Sequence, residues 1–172
     1  VEKISSRTKF FPSDNKFRDG IRNSSLYGKK SEKFFLLAYE KDLTKDLPER
    51  IYNNIKIEST DHILPQSWKG TGGSIKNPDW KDVNEKESFE KLRHTWGNLL
   101  PMSVRLNSIK SNKSFSEFKS DLKTMSRFET TAQWNKEVAE KDDWTLSDIE
   151  KRNSKISKWA INRWPFYKSR YS

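Results

Sequence analysis

The chain has 172 residues, 34% of them charged and 32% hydrophobic, and a formal charge of +10. It holds no cysteine, which excludes disulfides, thiolate catalysis and a Cys-ligated structural zinc. Its 7 Trp, 5 Tyr and 10 Phe argue for a folded domain, and the charge surplus points to a polyanionic partner, nucleic acid first and an anionic membrane surface second.

The opening thirty residues are polar, with turn signals at Pro12-Ser13-Asp14 and Asp19-Gly20. Ser13 or Asp14 suits the N-cap of a short helix through Ile21. Glu32 to Glu40 contains the longest apolar run, Phe34-Phe35-Leu36-Leu37-Ala38-Tyr39, and reads as a buried helix. That run is far too short to span a bilayer, and no secretory signal opens the chain, so cytoplasmic residence is expected and a membrane partner is not. Pro48 interrupts the pattern. Ile55-Lys56-Ile57-Glu58 alternates as a half-buried strand does and leads into Asp61-His62-Ile63-Leu64-Pro65. Residues 67–80, with Gly70, Gly72, Gly73 and Pro78, form a loop. A helix is expected over 84–94, with Asn84 as its cap.

Gly97 then turns the chain into a second strand, Asn98-Leu99-Leu100-Pro101-Met102, followed by a short helix from Ser103 to Lys110. Ser114-Phe115-Ser116-Glu117 has the pattern of a capping box opening a helix through Phe128. Thr145-x-x-Asp148 opens the last helix, on which Ile149, Ile156, Trp159, Ala160 and Trp164 recur at helical spacing. The expected fold is α+β, a strand–loop–strand–helix core flanked by N-terminal and C-terminal helices. Its parts are 1–50 (N-terminal helical), 51–128 (the core with its long loop) and 129–172 (C-terminal helical), in one compact unit.

The chain has two histidines, His62 and His94. His62 follows an acid at a predicted strand end. Asn98 opens the second predicted strand, and Asn107 lies on the short helix after it. Cleavage of a phosphodiester needs a nucleophilic water, charge stabilisation at phosphate and a stabilised leaving oxygen. A single divalent ion supplies the last two. Mg²⁺ prefers oxygen ligands and keeps several waters, so the Asp61 carboxylate and the Asn107 amide form a sensible protein share. A neutral imidazole, with its ordinary pKa of about 6.5, suits His62 to deprotonating water. If the strand is regular, Asp61 and His62 point to opposite faces. Lys110 and Lys113 are candidates for phosphate contacts. His94 reads first as structural, with a phosphate contact as its alternative.

Asp61-His62-Ile63-Leu64-Pro65-Gln66, Gly97-Asn98-Leu99-Leu100, Leu106-Asn107 and Ser111-Asn112-Lys113-Ser114-Phe115 together resemble the GmrSD-type family. These are the C-terminal HNH domains of modification-dependent, type IV restriction and phage-defence endonucleases. The similarity extends outward to Phe11-Pro12-Ser13-Asp14, Phe17 and Leu26-Tyr27, and to Trp144, Ile149, Arg152 and Trp159 through Trp164-Pro165. The resemblance implies a ββα-metal (HNH) core and divalent-metal cleavage of double-stranded DNA, with Mg²⁺ first and Mn²⁺ second. It makes His62 the general base, Asp61 a metal ligand and Asn98 the brace of the loop carrying His62. Asn107 falls where related domains place a second ligand, and Asn112 is its rival in the Ser-Asn-x-x-Phe element. It also implies a prokaryotic, cytoplasmic setting and a partner: a nucleotide-dependent, ParB-like N-terminal sensor domain absent from this sequence. The expected activity is DNA nicking. The alternatives are a non-catalytic basic DNA-binding module or an RNA-cleaving, toxin-like nuclease.

Overall fold

A computed structural model describes residues 13–65, 86–110, 113 and 115–165. Two of the first helices flank a turn. α1 (Asp14–Asn23) is capped by Ser13, whose side chain accepts the N–H of Lys16. α2 (Glu32–Leu43) follows, and α3 (Glu49–Asn53) starts directly after Pro48, where a missing N–H does no harm. Gly28 turns the chain ahead of α2 with φ +74, and its N–H is received by the Glu32 carboxylate.

β1 (Ser59–His62) and β2 (Leu99–Met102) form a two-stranded antiparallel sheet. Ser59 opposes Met102, and His62 opposes Leu99. The strand expected over Ile55–Glu58 is therefore displaced to Ser59–His62. Register explains the shift: β2 ends at Met102, the partner of Ser59, so residues before Ser59 have no strand to bond. Ile57 is still buried, which accounts for the apolar alternation without a strand.

Every residue of β2 is buried, because both its faces are covered. Leu100 and Met102 enter one apolar cluster with Ile63, Phe89, Phe118 and Trp134. Leu99, on the opposite face, enters another with Leu36, Tyr39, Trp96 and Ile156. The strand is the partition between two cores.

Helices α4 (Lys86–Leu92), α5 (Val104–Lys110) and α6 (Phe115–Met125) occur in the expected order. α4 stops at Leu92 and not at His94, because the Thr95 hydroxyl and N–H both donate to the Leu92 carbonyl and close the turn. The expected caps Asn84 and Ser114 and the loop over 67–80 lie outside the described residues. A helix the sequence reading had not marked, α7 (Glu129–Glu137), follows α6. Its first turn is capped from a distance. The buried Glu40 carboxylate accepts the N–H groups of Glu129 and Thr130 at 2.6 and 2.8 Å and the Thr130 hydroxyl at 2.6 Å.

α8 (Leu146–Arg163) begins with the expected reciprocal capping box between Thr145 and Asp148. It packs along α1 and against the one-turn 3-10 helix Trp96–Asn98. Among the described residues no helix is long and apolar enough to cross a membrane.

Candidate active site

β1 delivers Asp61-His62 to its own end, and the register with β2 sets His62 beside Asn98. The chain bends away immediately after His62, and Asn98 fixes that bend. Its backbone carbonyl accepts the Ile63 N–H at 2.8 Å. Its side-chain Oδ1 accepts the Leu64 N–H at 2.8 Å, while Nδ2 donates to the Leu64 carbonyl at 3.0 Å and to the Arg93 carbonyl at 2.9 Å. Asn98 is fully buried, so each of these groups would otherwise lack both protein and water partners.

The segment carrying Asn98 is held in turn by α8. Buried Arg152 donates through one guanidinium nitrogen to the carbonyls of Gly97 and Leu99, both at 2.9 Å. Burial lowers its pKa to about 10, which still leaves it charged at neutral pH. Asn153 accepts the Gly97 N–H at 2.6 Å and donates to the Thr95 hydroxyl at 2.8 Å. Gly97 is required for this contact: a Cβ there would lie 2.3 Å from the Ile149 carbonyl oxygen.

His62 is 1% exposed. Its Nε2 lies 3.0 Å from Nδ1 of His94. Tyr27 covers both rings, edge-on to His62 at 4.4 Å and stacked on His94 at 5.5 Å with planes 10° apart. The backbone joins in, since the N–H groups of Leu26 and Tyr27 donate to the His94 carbonyl at 2.8 and 3.2 Å. Burial and the neighbouring Arg93 guanidinium hold the His94 pKa below its ordinary value, with Glu90 acting the other way.

Asp61 and His62 leave β1 on opposite sides by strand alternation. Asp61 is half-buried, and one of its carboxylate oxygens accepts the His62 N–H at 2.7 Å. Ser59 shares its face, and Asn107 on α5 donates its amide nitrogen to the Ser59 hydroxyl at 2.7 Å. The structure thus gathers His62, His94 and Asn98 on one side, and Ser59, Asp61 and Asn107 on the other. Among the described residues, no three His, Cys, Asp or Glu side chains converge as a metal cluster.

Lys113 is ion-paired with Asp121 on α6. Lys110 closes α5, and Asn112 lies outside the described residues. A cleft of about 1060 Å³ at the other end of the hairpin is lined by Lys56, Glu58, Arg105 and Arg127 among others, and it includes neither Asp61 nor His62.

The family profile described as "GmrSD restriction endonucleases, C-terminal domain" matches residues 11–159. The chain belongs to this family. No curated protein and no solved structure matches it. Membership makes this GmrSD C-terminal domain a nuclease domain of the restriction-endonuclease type.

Two contributors to the site, Tyr27 and Arg152, stand in the sequence only as outlying points of the family resemblance, with no role in the site attached to them. Tyr27 comes from the α1–α2 connection, remote in sequence from His62, and nothing local marks it as a lid. Arg152 did carry a signal: it is a cation in the apolar stripe of Ile149 and Ile156, where a charge needs a specific partner.

Proposed function

We propose that this GmrSD C-terminal domain is a metal-dependent HNH DNA endonuclease. It would nick one strand as the effector half of a prokaryotic phage-defence protein. The observation that carries the reading is the chain order β1–β2–α5, with Asp61-His62 at the end of β1, the turn behind it tied to Asn98, and Asn107 on the helix. That order supports a ββα-metal core.

The donor set fits a hard cation. Asp61 offers a carboxylate, and Asn107 commits its amide nitrogen to Ser59, which leaves the amide oxygen for an ion. Asp61 and Asn107, or Asn112 in place of Asn107, would hold Mg²⁺, with Mn²⁺ as a substitute. When bound, the ion supplies charge neutralisation at the phosphate and at the leaving 3′ oxygen. His62 takes a proton from the attacking water, a step that requires the end of β1 to distort on DNA binding so that His62 and the ion held by Asp61 reach one phosphate, since the two side chains leave the strand on opposite faces. Asn98 keeps the turn after His62 in place. Products then carry 5′-phosphate and 3′-hydroxyl ends. Lys110 and Lys113 would contact phosphates, Lys113 by exchanging its pairing with Asp121. A phosphate contact for His94 competes with its place against His62. The remaining parts of the proposal are a cytoplasmic setting and a ParB-like, nucleotide-dependent sensor domain as partner.

The experiment is metal-dependent nicking of supercoiled plasmid by Asp61→Asn, Asn107→Ala and Asn112→Ala. The reading expects Asp61→Asn and one of the two Asn variants to demand far more Mg²⁺. Wild-type Mg²⁺ dependence in all three would refute this ligand assignment.

A further inference from the structure

The cleft at the other end of the hairpin, of about 1060 Å³, carries a charge pattern that the site around Asp61 does not use. Lys56, Arg105 and Arg127 line it, and all three are exposed. Two acids, Glu40 and Glu58, line it as well. Both carboxylates are committed to the backbone. Glu40 is buried, and its oxygens accept the N–H groups of Glu129 and Thr130 at the positive end of α7. Glu58 accepts the N–H of Val104 at 3.2 Å, in the first turn of α5. Among the described residues no acid forms an ion pair with Lys56, Arg105 or Arg127. The cleft therefore presents more cations than acids, and the cations have no internal partner, on a chain of formal charge +10.

The cleft also adjoins the candidate site. Glu58 immediately precedes Ser59, which receives the Asn107 amide at 2.7 Å and shares a face of β1 with Asp61. Arg105 and Asn107 stand on the same short helix, α5. Ser59 is two strand residues from Asp61, about 7 Å at the usual rise. Successive phosphates of one DNA strand advance by about 3.4 Å along the helix axis. A duplex lying along the hairpin with a phosphate at Asp61 brings others to the cleft within a few nucleotides.

We propose that this cleft is a second DNA-backbone subsite, in which Lys56, Arg105 and Arg127 hold phosphates a few nucleotides from the scissile one. The proposal rests on the nuclease reading above and deepens it, because it gives the substrate a footprint that runs along the hairpin from Asp61 to Arg127. Cations that address phosphates read no bases, so the subsite supplies affinity and register and no sequence preference.

The test measures binding of a labelled random-sequence duplex by the full 172-residue chain across a range of NaCl concentrations, with plasmid nicking in parallel. The cleft variant combines Lys56→Gln, Arg105→Gln and Arg127→Gln. The control combines Lys136→Gln, Lys151→Gln and Lys158→Gln, which removes the same charge from exposed positions on α7 and α8. The slope of log affinity against log salt should become shallower by about 0.9 for each cleft cation that held a phosphate. Affinity at moderate salt should fall by about tenfold or more, and KM for nicking should rise with it. The control should stay close to wild type. Should the triple cleft variant fail to fold, Arg105→Gln and Arg127→Gln singly should each take about 0.9 from the slope. A folded cleft variant with wild-type slope and affinity overturns the proposal and leaves the cleft to an acidic protein partner. An equal loss in the control overturns it too, since the effect is then one of overall charge. If the cleft variant alone loses affinity but the wild type cleaves no DNA with Mg²⁺ or Mn²⁺, the nuclease reading falls and the subsite stands as a DNA-binding site. If nicking is normal and the cleft variant binds as wild type does, only the subsite falls.

Discussion

The side-chain amide of Asn98 pairs with the backbone of Leu64 in both directions, accepting its N–H at 2.8 Å and donating to its carbonyl at 3.0 Å. This closes the turn after His62 much as a further strand residue would. Asn98→Ala leaves the Leu64 N–H and carbonyl and the Arg93 carbonyl without this partner in a buried site. Each such loss costs about 1–3 kcal/mol. We expect a loss of at least about 2 kcal/mol in urea denaturation, with nicking lost as well. A loss under about 1 kcal/mol would show that Asn98 is not the brace.

Gly97→Ala tests the seat of that brace on α8. The added Cβ would meet the Ile149 carbonyl oxygen at 2.3 Å and Asn153 Oδ1 at 2.8 Å. The nearer atom is backbone, so the helix itself must move. Overpacking of this kind costs about 1–3 kcal/mol. Thermal unfolding should show a clear drop, while wild-type stability would mean that α8 stands farther from Gly97 than described.

Asp148 gives the stability an acid limb. Burial raises its pKa, but the Lys141 ammonium and the hydrogen bonds from Thr145 outweigh it, so the net value lies below the ordinary 3.8. A carboxyl depressed by folding stabilises fully above its unfolded pKa and loses that contribution as pH falls through the folded one. Asp148→Asn should therefore be less stable than wild type at about pH 7, by roughly the 0.5–2 kcal/mol of a lost cap. The gap should shrink once the pH is well below the carboxylate range. A gap independent of pH would assign the effect to packing.

Metal removal is the next discriminator. Chelation should abolish nicking without unfolding the protein, because two buried apolar clusters build the core. Circular dichroism before and after chelation, with Mg²⁺ re-addition, reads both effects. Nicking that survives chelation contradicts the metal-dependent reading.

The elements of the core were legible where chemistry is local. The Thr145-Asp148 capping box, the Pro48 break and the Ser13 cap are decided within a few residues, and the structure has all three. The strand at 55–58 was misplaced because alternation reports burial, whereas strand pairing depends on a partner some forty residues away. α7 was missed because its apolar pattern is thin and its N-terminal cap, Glu40, comes from α2. Asp61, His62, Asn98 and Asn107 are candidates by residue type, spacing and family resemblance, and the structure sets the first two at the end of β1, Asn98 just before β2 and Asn107 on α5. The contact of His62 with His94 and Tyr27 was not legible, since it depends on how the α1–α2 connection folds over the hairpin.

The most direct measurement is nicking of supercoiled plasmid in Mg²⁺ or Mn²⁺ by wild type and His62→Ala, with DNA binding measured in parallel. The account predicts that both proteins bind and that only the wild type nicks efficiently, His62→Ala being slower by about 10²–10⁴-fold, the usual worth of a general base. If both bind and neither nicks, or if His62→Ala nicks at the wild-type rate, His62 is not the base of a nuclease site.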